Sequence, residues 1–323
     1  MKFSRADRIL AAYGHNPLSS RAYKNFVTEV LETRFQEDAG VDVTVNAVIK
    51  KDLDSRGIIK AKKEGILAGL EEIAAFYARH MVSVVKVKAD GDRLEKDDII
   101  AEITGKQSDL LRVERTGLNF LQRMSGIATQ TRKLADITKP HDAMIVGTRK
   151  TLFSAMDKKA ITLGGGLSHR HGLFDAILIK DNHLSAVGQE PGITDRISTA
   201  LERAFRYSKK PLPTFIEIET DSMDDAIRAA MAYSALLKQN MRLAKIPFII
   251  MLDNLKPRKI REIINELKKK NLYDLVLLEA SGGISKKNIG KYAKSGVDVI
   301  SIGAITHSVV ALDISQKILE KTK

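Results

Sequence analysis

Charged side chains end several short apolar runs in the second half of the sequence. Lys180 directly continues one such run, Glu219 continues a second, and Asp253 continues a third. Carboxylates in this setting can hold sugar hydroxyls or Mg²⁺, or they can pair with the lysine. The lysine can bind an anion or form a Schiff base. These residue types therefore leave three reactions open: isomerisation of a phosphorylated sugar, aldol chemistry at a lysine, and transfer of a phosphoribosyl group.

Further cations occupy positions of the same kind. Six basic side chains stand at or soon after the ends of these runs, namely Arg149, Lys150, His169, Arg170, Lys180 and His183. Guanidinium forks and ammonium groups bind phosphate and carboxylate groups, so this set predicts a highly anionic ligand. For His169 and Arg170, which follow a glycine-rich turn, a solvated loop is the alternative. The histidines have no other ligands at zinc spacing, and a structural zinc site is therefore not predicted.

Small residues follow the last two apolar runs. Ser281, Gly282 and Gly283 end the first of them, and Gly303 and Ala304 end the second. Bare backbone N–H groups opening onto helix N-termini suit a phosphate monoester, and the final strands of a barrel are a known place for one. The alternative is that these glycines only form tight turns that need a positive φ.

The elements that must position these side chains alternate regularly after Pro140. Seven short apolar runs are separated mostly by amphipathic, helix-like stretches; the runs are 143–146, 160–163, 176–179, 214–218, 247–252, 275–278 and 297–302. Fully apolar strands that alternate with helices indicate a parallel sheet covered on both faces, and seven such units favour an α/β barrel. The carboxyl ends of parallel strands surround one mouth, so we expect the polar residues to gather there.

The rest of the chain predicts a second domain. Residues 1–139 mix helix-like and strand-like segments and end in a long helix from about Leu110 to Thr138, which Pro140 stops. We therefore predict an N-terminal α/β sandwich domain at 1–139, a catalytic barrel at 140–308, and a C-terminal helix at 309–323 that returns to the first domain.

The composition excludes several classes of protein. The 323 residues contain no cysteine, which excludes a disulfide scaffold, thiolate catalysis and a cysteine-based zinc site. The longest run without Asp, Glu, Lys or Arg, at 299–312, is 14 residues long and too short to span a bilayer. The net charge of +13 raises nucleic-acid binding, but aromatic residues make up only 5% of the chain and its lysine runs are short and scattered. We expect a cytoplasmic protein that binds neither membranes nor nucleic acid.

Eight segments, in order, resemble the quinolinate phosphoribosyltransferase family, whose members are also called decarboxylating nicotinate-nucleotide pyrophosphorylases. The matching segments are 114–129, 147–151, 164–170, 178–183, 216–219, 251–254, 278–284 and 302–308. The resemblance implies the fold of a type II phosphoribosyltransferase, which combines an N-terminal α/β sandwich domain with a C-terminal open seven-stranded α/β barrel. It also implies transfer of ribose 5-phosphate from phosphoribosyl pyrophosphate to the nitrogen of quinolinate. Pyrophosphate and CO₂ are released, and nicotinate mononucleotide forms as a step of NAD biosynthesis.

The family's site residues carry over to matching positions. The implied ligands of the two quinolinate carboxylates are Arg115, Arg149, His169, Arg170 and Lys180. The implied cradle of the 5-phosphate is Ser281, Gly282, Gly283, Gly303 and Ala304. Lys150 and Lys180 would face the departing pyrophosphate, while Glu219 and Asp253 would hold ribose hydroxyls and lie near Mg²⁺, directly or through water. These last four residues are the expected catalytic groups.

The resemblance also implies cofactors and partners. Mg²⁺ is expected to bind together with phosphoribosyl pyrophosphate, and no prosthetic group is expected. A homodimer, or a multiple of it, is expected to share its sites between subunits, with Lys62 of the neighbouring subunit in place of a family arginine. Two alternatives stay open: a phosphoribosyltransferase for another carboxylated pyridine or ring base, and a non-catalytic basic protein that binds nucleic acid.

Overall fold

The computed structural model describes residues 4–14, 20–38, 40–207 and 213–319. The chain divides into two compact units, each of which is described by itself. The first, called the barrel unit, consists of Met1–His15, Leu134–Lys150 and Gly166–Ala304. The second, called the sandwich unit, consists of Asn16–Lys133, Thr151–Gly165 and Ile305–Lys323.

The helices in the described residues are α1 (Arg5–Tyr13), α2 (Arg21–Asp38), α3 (Val43–Val48), α4 (Leu70–Arg79), α5 (Gln107–Thr138), α6 (Ser154–Leu163), α7 (Asp181–Gly188), α8 (Arg196–Arg206), α9 (Met223–Gln239), α10 (Pro257–Lys269), α11 (Ile289–Ala293) and α12 (Ala304–His307). The strands there are β1 (Asp54–Ala61), β2 (Gly65–Ile66), β3 (Ser83–Lys86), β4 (Arg93–Leu94), β5 (Ile99–Lys106), β6 (Met144–Val146), β7 (Ile177–Ile179), β8 (Ile216–Thr220), β9 (Phe248–Asp253), β10 (Leu277–Ser281), β11 (Val299–Ser301) and β12 (Ile314–Ile318).

Six parallel strands form the sheet of the barrel unit among the described residues, in the order β6-β11-β10-β9-β8-β7. Leu167 makes a single parallel bridge to Val146 on the free side of β6 and so takes a seventh position. Leu167 and β7 therefore stand at opposite edges, and the barrel is open. Helices such as α10 cover the sheet with residues spaced three and four apart, whose buried members are Ile260, Ile263, Ile264 and Leu267.

One of the seven predicted strands is wrong. Residues 160–163 are the last part of helix α6, whose buried residues include Met156, Ala160 and Ile161. The spacing of these three residues is helical, and a run of four residues, here three apolar side chains and Thr162, cannot by itself distinguish a strand from a buried helix segment. The other six predicted runs all contain strands, with bounds shifted by up to three residues.

Helix α1 covers the amino ends of the barrel strands. It begins with a capping box in which the Ser4 and Asp7 side chains each accept a hydrogen bond from the other's backbone N–H. Ile9, Ala12 and Tyr13 form a buried cluster with residues at or next to the beginnings of strands, including Ala176, Phe215, Ile249, Leu277 and Val299. The predicted N-terminal domain, 1–139, includes α1, whereas in the structure α1 belongs to the barrel unit.

The sandwich unit contains a four-stranded antiparallel sheet in the order β12-β1-β5-β3. Helix α6 belongs to this unit, where Lys159 Nζ donates hydrogen bonds to Glu72 Oε1 at 2.8 Å and to Asp90 Oδ2 at 3.0 Å. The long helix predicted to end before Pro140 is confirmed as α5, which ends at Thr138.

The predicted C-terminal helix at 309–323 is also wrong. Its described part contains strand β12, which pairs antiparallel with β1 and so joins the N-terminal sheet. Side chains alternate along β12, with Ile314 and Gln316 buried, and Gln316 Oε1 accepts a hydrogen bond from the Tyr77 hydroxyl at 2.8 Å. A period of two and a free edge on β1 favour a strand over a helix.

In the described parts of the chain, no helix has both the length and the apolar character needed to cross a membrane.

Candidate active site

Strands β8 and β10 each carry two polar side chains on one face. Glu217 and Glu219 lie two residues apart on β8, as do Glu279 and Ser281 on β10, and side chains two apart along a strand point to the same side. Glu217 and Glu279 are fully buried, whereas Glu219 and Ser281 are only partly buried. The buried pair therefore lies deeper in the barrel unit, and the second pair lies at its carboxyl-terminal mouth.

A cation and two carboxyl groups meet at this mouth. Lys180, directly after β7, places its Nζ 3.6 Å from Glu219 Oε2 at the end of β8. Burial raises the pKa of Glu219, the Lys180 ammonium opposes that rise, and the nearby Asp253 carboxylate adds to it. Two carboxyl groups that act on one another electrostatically, beside a half-exposed lysine, can provide hydrogen-bond acceptors for hydroxyl groups and oxygen ligands for a hard cation.

The guanidinium groups of Arg149 and Arg170, both in the barrel unit, repel one another electrostatically. Arg170 is 7% exposed, and its Nη1 donates to the Ala176 carbonyl at 3.2 Å. Its Nε is buried and has no hydrogen-bond partner among the described residues. Burial, followed by the positive charge of Arg149, lowers the pKa of the Arg170 guanidinium. An anionic ligand would relieve this repulsion and accept from the unpaired donor.

The loop after β10 leaves its backbone bare. Gly282 and Gly283 have φ angles of +91° and +60°, which other residues rarely adopt. The backbone N–H of Asn254 donates to the Ser281 carbonyl at 2.9 Å, and a Cβ on Gly282 would overlap the Asn254 side chain. A glycine is therefore needed at 282, both for its positive φ and for its close approach to Asn254. The absence of side chains at 282 and 283 also leaves the backbone N–H groups of this loop uncovered.

A buried cluster lies beneath the mouth. His169 Nε2 lies 3.0 Å from Glu217 Oε2 and 3.9 Å from Glu279 Oε2. The Tyr13 hydroxyl donates to Glu279 Oε2 at 2.6 Å. Burial raises the pKa of Glu217 to about 8, and burial together with the Glu217 carboxylate raises the pKa of Glu279 to about 8. The pair therefore retains at least one proton at neutral pH.

The same three side chains have the geometry of a metal site. The ligand atoms of His169, Glu217 and Glu279 all lie within 4.8 Å of one another. One oxygen of each carboxyl group is already engaged, by the His169 ring and by the Tyr13 hydroxyl respectively. The other oxygen of each carboxyl group, Oε1, is buried without a hydrogen-bond partner among the described residues, and Glu219 and Asp253 at the mouth are further carboxylates that could hold a hydrated cation.

Models of two domains match nearly the whole chain beyond residue 41. The N-terminal domain of quinolinate phosphoribosyl transferase matches residues 42–125, and the C-terminal domain matches residues 127–317. The chain belongs to the quinolinate phosphoribosyl transferase family. The two matched spans leave out helix α1.

Individual relatives agree with membership of the quinolinate phosphoribosyl transferase family. A probable nicotinate-nucleotide pyrophosphorylase (carboxylating) of Archaeoglobus fulgidus is 35% identical over 280 residues, which are 85% of this chain and 98% of the relative. A quinolinate phosphoribosyltransferase (decarboxylating) of Nicotiana glauca is 37% identical over 90% of this chain and 81% of its own. The solved nicotinate-nucleotide pyrophosphorylase of Francisella tularensis superposes with a TM-score of 0.76 at 30% identity, covering 92% of this chain and 97% of that one.

Of the fifteen site residues predicted from the sequence, thirteen belong to the barrel unit, at or near the carboxyl ends of its strands or in the segment after Leu167. Arg115 and Lys62 belong to the sandwich unit. Arg115 is exposed on α5 and lines a cavity of about 480 Å³ within that unit, together with Arg34, Glu37, Asp38, Thr116, Asn119, Phe120, Arg123 and Phe153. Lys62 is exposed just after β1. The roles of all fifteen residues remain predictions.

His183 has a structural function at the mouth. Its Nδ1 accepts a hydrogen bond from the backbone N–H of Lys180 at 2.9 Å, so it caps the first turn of α7. The cap fixes the backbone of Lys180, which is the residue whose side chain reaches Glu219. His183 thus supports the mouth whether or not it also contacts a ligand.

No function is predicted from the sequence for Glu217, Glu279 or Tyr13. The two glutamates could have been found, because each is charged, lies within an apolar strand and precedes a mouth residue by two positions. No local signal marks Tyr13, because its partner lies 266 residues away in sequence.

Proposed function

We propose that this protein transfers ribose 5-phosphate from phosphoribosyl pyrophosphate to the ring nitrogen of quinolinate. Pyrophosphate and CO₂ leave, and nicotinate mononucleotide forms, as a step of NAD biosynthesis. The proposal draws on family membership and on relatives whose names include quinolinate and decarboxylation. Within the molecule, it is supported above all by the cationic end of the barrel mouth.

The paired guanidiniums of Arg149 and Arg170 suit a ligand with two adjacent carboxylates. Arg170 has one buried donor without a partner among the described residues, and Arg149 lowers its pKa through charge repulsion. His169, next in sequence to Arg170, is only 5% exposed and adds a third group that can bind a carboxylate. Quinolinate carries two neighbouring carboxylates, and a dianion offsets two fixed positive charges.

A second set of residues, at the ends of strands β8 to β11, suits the ribosyl donor. Glu219 and Asp253 provide acceptors for ribose hydroxyls. The backbone donors for the 5-phosphate come from two loops, with Ser281, Gly282 and Gly283 after β10 and Gly303 and Ala304 after β11. Glu219 and Asp253 also fit Mg²⁺, because both are carboxylates and lie close enough for one to raise the pKa of the other. The ion, when bound with the donor, would supply positive charge at the pyrophosphate.

Ribosyl transfer needs positioning and charge rather than a covalent nucleophile. As the bond from the anomeric carbon to pyrophosphate lengthens, positive charge grows on the ribose ring and negative charge on the leaving group. Lys150 and Lys180 would stabilise that negative charge, while the Glu219 carboxylate lies near the positive ring. The quinolinate nitrogen then forms the new bond to the anomeric carbon.

Decarboxylation follows from the charge created by the first step. Once it is ribosylated, the ring nitrogen is cationic, and it stabilises the electron pair left on the adjacent carbon when the bond to CO₂ breaks. A proton then replaces CO₂ at that carbon. The cationic cluster has to bind the 2-carboxylate without preventing its loss, and a site built from several long side chains satisfies both needs.

We also propose a homodimer, or a multiple of it, in the cytoplasm, in which Lys62 reaches the site of the neighbouring subunit. Its support is the family resemblance, with a lysine in place of the family's arginine. A lysine supplies one compact charge where arginine supplies a fork, so a weaker contact is expected here.

The decisive experiment is incubation with phosphoribosyl pyrophosphate, Mg²⁺ and either quinolinate or nicotinate, with detection of the nucleotide and of CO₂. Turnover of quinolinate with one CO₂ per nucleotide is the expected result. Turnover of nicotinate alone would overturn the assignment in favour of another carboxylated pyridine. Saturable binding of DNA or RNA without turnover of either base would favour the non-catalytic alternative.

A further inference from the structure

Helix α1 brings a tyrosine hydroxyl to the buried carboxyl pair from the amino end of the barrel unit. Tyr13 is 1% exposed, and its hydroxyl donates to Glu279 Oε2 at 2.6 Å. The helix is anchored at its other end, where Arg5 forms two hydrogen bonds to the Asp298 carboxylate at 2.5 and 2.7 Å. The Arg5 guanidinium also lies 4.0 Å from the centre of the Tyr273 ring. Tyr13 therefore occupies a well-defined position.

The Tyr13 ring also packs beside the His169 ring. The two ring centres are 5.6 Å apart, and the Phe215 ring lies 5.1 Å from Tyr13 and 5.5 Å from His169. His169 is thus held on one side by aromatic rings and at its Nε2 by the Glu217 carboxyl at 3.0 Å. The hydroxyl of Tyr13 acts on a different partner, the second carboxyl of the pair.

The electrostatic surroundings of His169 come from several elements. The charged and titratable groups that act on His169 or on the carboxyl pair are Tyr13 of α1, Arg170 of the adjoining loop, Lys180 after β7, Glu217 and Glu219 of β8 and Glu279 of β10, while Asp298 before β11 acts on Tyr13. Of these, only Tyr13 combines a hydrogen bond to Glu279 with a ring contact to His169 among the described interactions.

We infer that Tyr13 is a positioning residue for quinolinate binding: its hydroxyl holds Glu279, and the Glu217–Glu279 pair in turn holds His169 where a substrate carboxylate binds. The inference rests on the proposed function, because it takes His169 to contact quinolinate. It goes beyond that function by assigning a role to α1, which lies outside the two spans matched by the family models.

Loss of the hydroxyl has a specific consequence. Without it, Glu279 Oε2 stays in a fully buried place with its donor removed, and a buried acceptor without a donor is costly. The carboxyl group relieves this cost by turning or by redistributing the proton of the pair. Either response changes what Glu217 and Glu279 present to His169, which lies within 3.9 Å of both.

The test uses Tyr13→Phe in the full-length enzyme, because phenylalanine keeps the ring and removes only the hydroxyl. Tyr23→Phe is the matched control: Tyr23 is 7% exposed, and its hydroxyl donates to Glu72 Oε1 at 2.6 Å within the sandwich unit. We expect Tyr13→Phe to raise KM for quinolinate about fivefold, as the loss of one hydrogen bond allows, and to leave KM for phosphoribosyl pyrophosphate within about twofold. Tyr23→Phe should change neither KM, although both variants are expected to lower the melting temperature.

An unchanged KM for quinolinate in Tyr13→Phe, or parallel rises in both KM values, would overturn the inference, because a merely structural effect does not select one substrate. If Tyr13→Phe does not fold, Glu279→Leu replaces it, because leucine removes the acceptor of the Tyr13 hydroxyl and so breaks the same hydrogen bond. The same selective rise is expected in that variant, and its absence again contradicts the inference.

A second measurement separates this inference from the proposed function. Histidine-ring NMR of the enzyme without substrate, with the His169 signal identified from a His169→Gln variant, should show a shift of that signal in Tyr13→Phe and none in Tyr23→Phe. An unmoved His169 signal overturns the inference whatever the activity. If the wild type does not turn over quinolinate, the proposed function fails and the role in quinolinate binding fails with it, while a shifted signal still supports the link from Tyr13 to His169.

Discussion

Lys180 Nζ lies 3.6 Å from Glu219 Oε2, so strands β7 and β8 place a cation and an anion side by side at the barrel mouth. Both groups are partly exposed, and such a pair stabilises the fold only weakly. We therefore expect the pair to matter for ligand binding rather than for stability. When the ligands bind, Lys180 can contact the leaving anion in place of Glu219, and Glu219 can contact ribose hydroxyls in place of Lys180.

Glu219→Gln should weaken binding of the ribosyl donor. The amide keeps the size of the side chain but removes the charge, and hydrogen bonds to a charged group contribute about 1.5–3 kcal/mol. We expect KM for phosphoribosyl pyrophosphate to rise at least tenfold and KM for quinolinate to change much less. Steady-state kinetics check this, with Glu190→Gln as the control because Glu190 pairs with Arg203 on the exterior. Equal changes in both KM values would remove Glu219 from the donor site.

Lys150→Ala should lower kcat/KM by about 30-fold or more. This corresponds to at least about 2 kcal/mol of transition-state stabilisation, which is a common cost of removing a charge that faces a leaving anion. Lys259→Ala is the control, because Lys259 pairs with Glu262 on α10. A near wild-type kcat/KM for Lys150→Ala would exclude Lys150 from stabilising the departure of pyrophosphate.

Gly282→Ala should affect both stability and donor binding. Gly282 and Gly192 both have a positive φ, of +91° and +81°, but only at Gly282 would a Cβ meet another group, the Asn254 side chain. Each substitution is expected to cost about 1 kcal/mol or more in the free energy of unfolding. Only Gly282→Ala should also raise KM for phosphoribosyl pyrophosphate, because the displaced loop carries the proposed phosphate donors. If Gly282→Ala and Gly192→Ala have the same KM for phosphoribosyl pyrophosphate, Gly282 does not belong to a phosphate-binding loop.

Glu279→Gln should flatten the pH dependence of stability. The pKa of Glu279 is about 8 in the folded chain and 4.5 for an ordinary glutamate, so the folded state binds this proton more tightly. The resulting stabilisation is complete below pH 4.5 and is lost as the pH rises to about 8, by up to about 1.4 kcal/mol per pH unit. Denaturant unfolding between pH 5 and 8 should show a smaller decline for the variant than for the wild type. Parallel declines would show that Glu279 does not titrate in this range.

Mixtures of two inactive variants test the shared site. If Lys62 serves the neighbouring subunit while Lys150 serves its own, mixed dimers of Lys62→Ala and Lys150→Ala chains contain one site with both lysines intact. Activity is then expected to recover to a fraction of the wild-type value. Mass spectrometry of the native assembly verifies that mixed dimers have formed, and verified mixed dimers without activity would contradict the shared site.

Much of the barrel and its mouth follows from local patterns. Apolar runs flanked by helix-like stretches predict parallel strands, and the chain order of polar residues after those runs predicts which side chains meet at the carboxyl ends. Lys180, Glu219 and Asp253 could be selected in this way because each directly continues an apolar run. The same pattern was wrong at 160–163, where Ala160, Ile161, Thr162 and Leu163 end a helix, since so short a run has no distinctive period.

The sequence by itself determined the class of ligand, since paired arginines, lysines and bare glycines after apolar runs suit polyanions and little else. Only the tertiary structure decided which side chains lie beneath the mouth. Tyr13 and Glu279 are 266 positions apart, and their hydrogen bond depends on α1 closing the amino end of the barrel. The segment 314–318 likewise became a strand because β1 offered it an unpaired edge. Local propensity contains no information about partners so distant in the chain, whereas burial and hydrogen bonding between them fix the final arrangement.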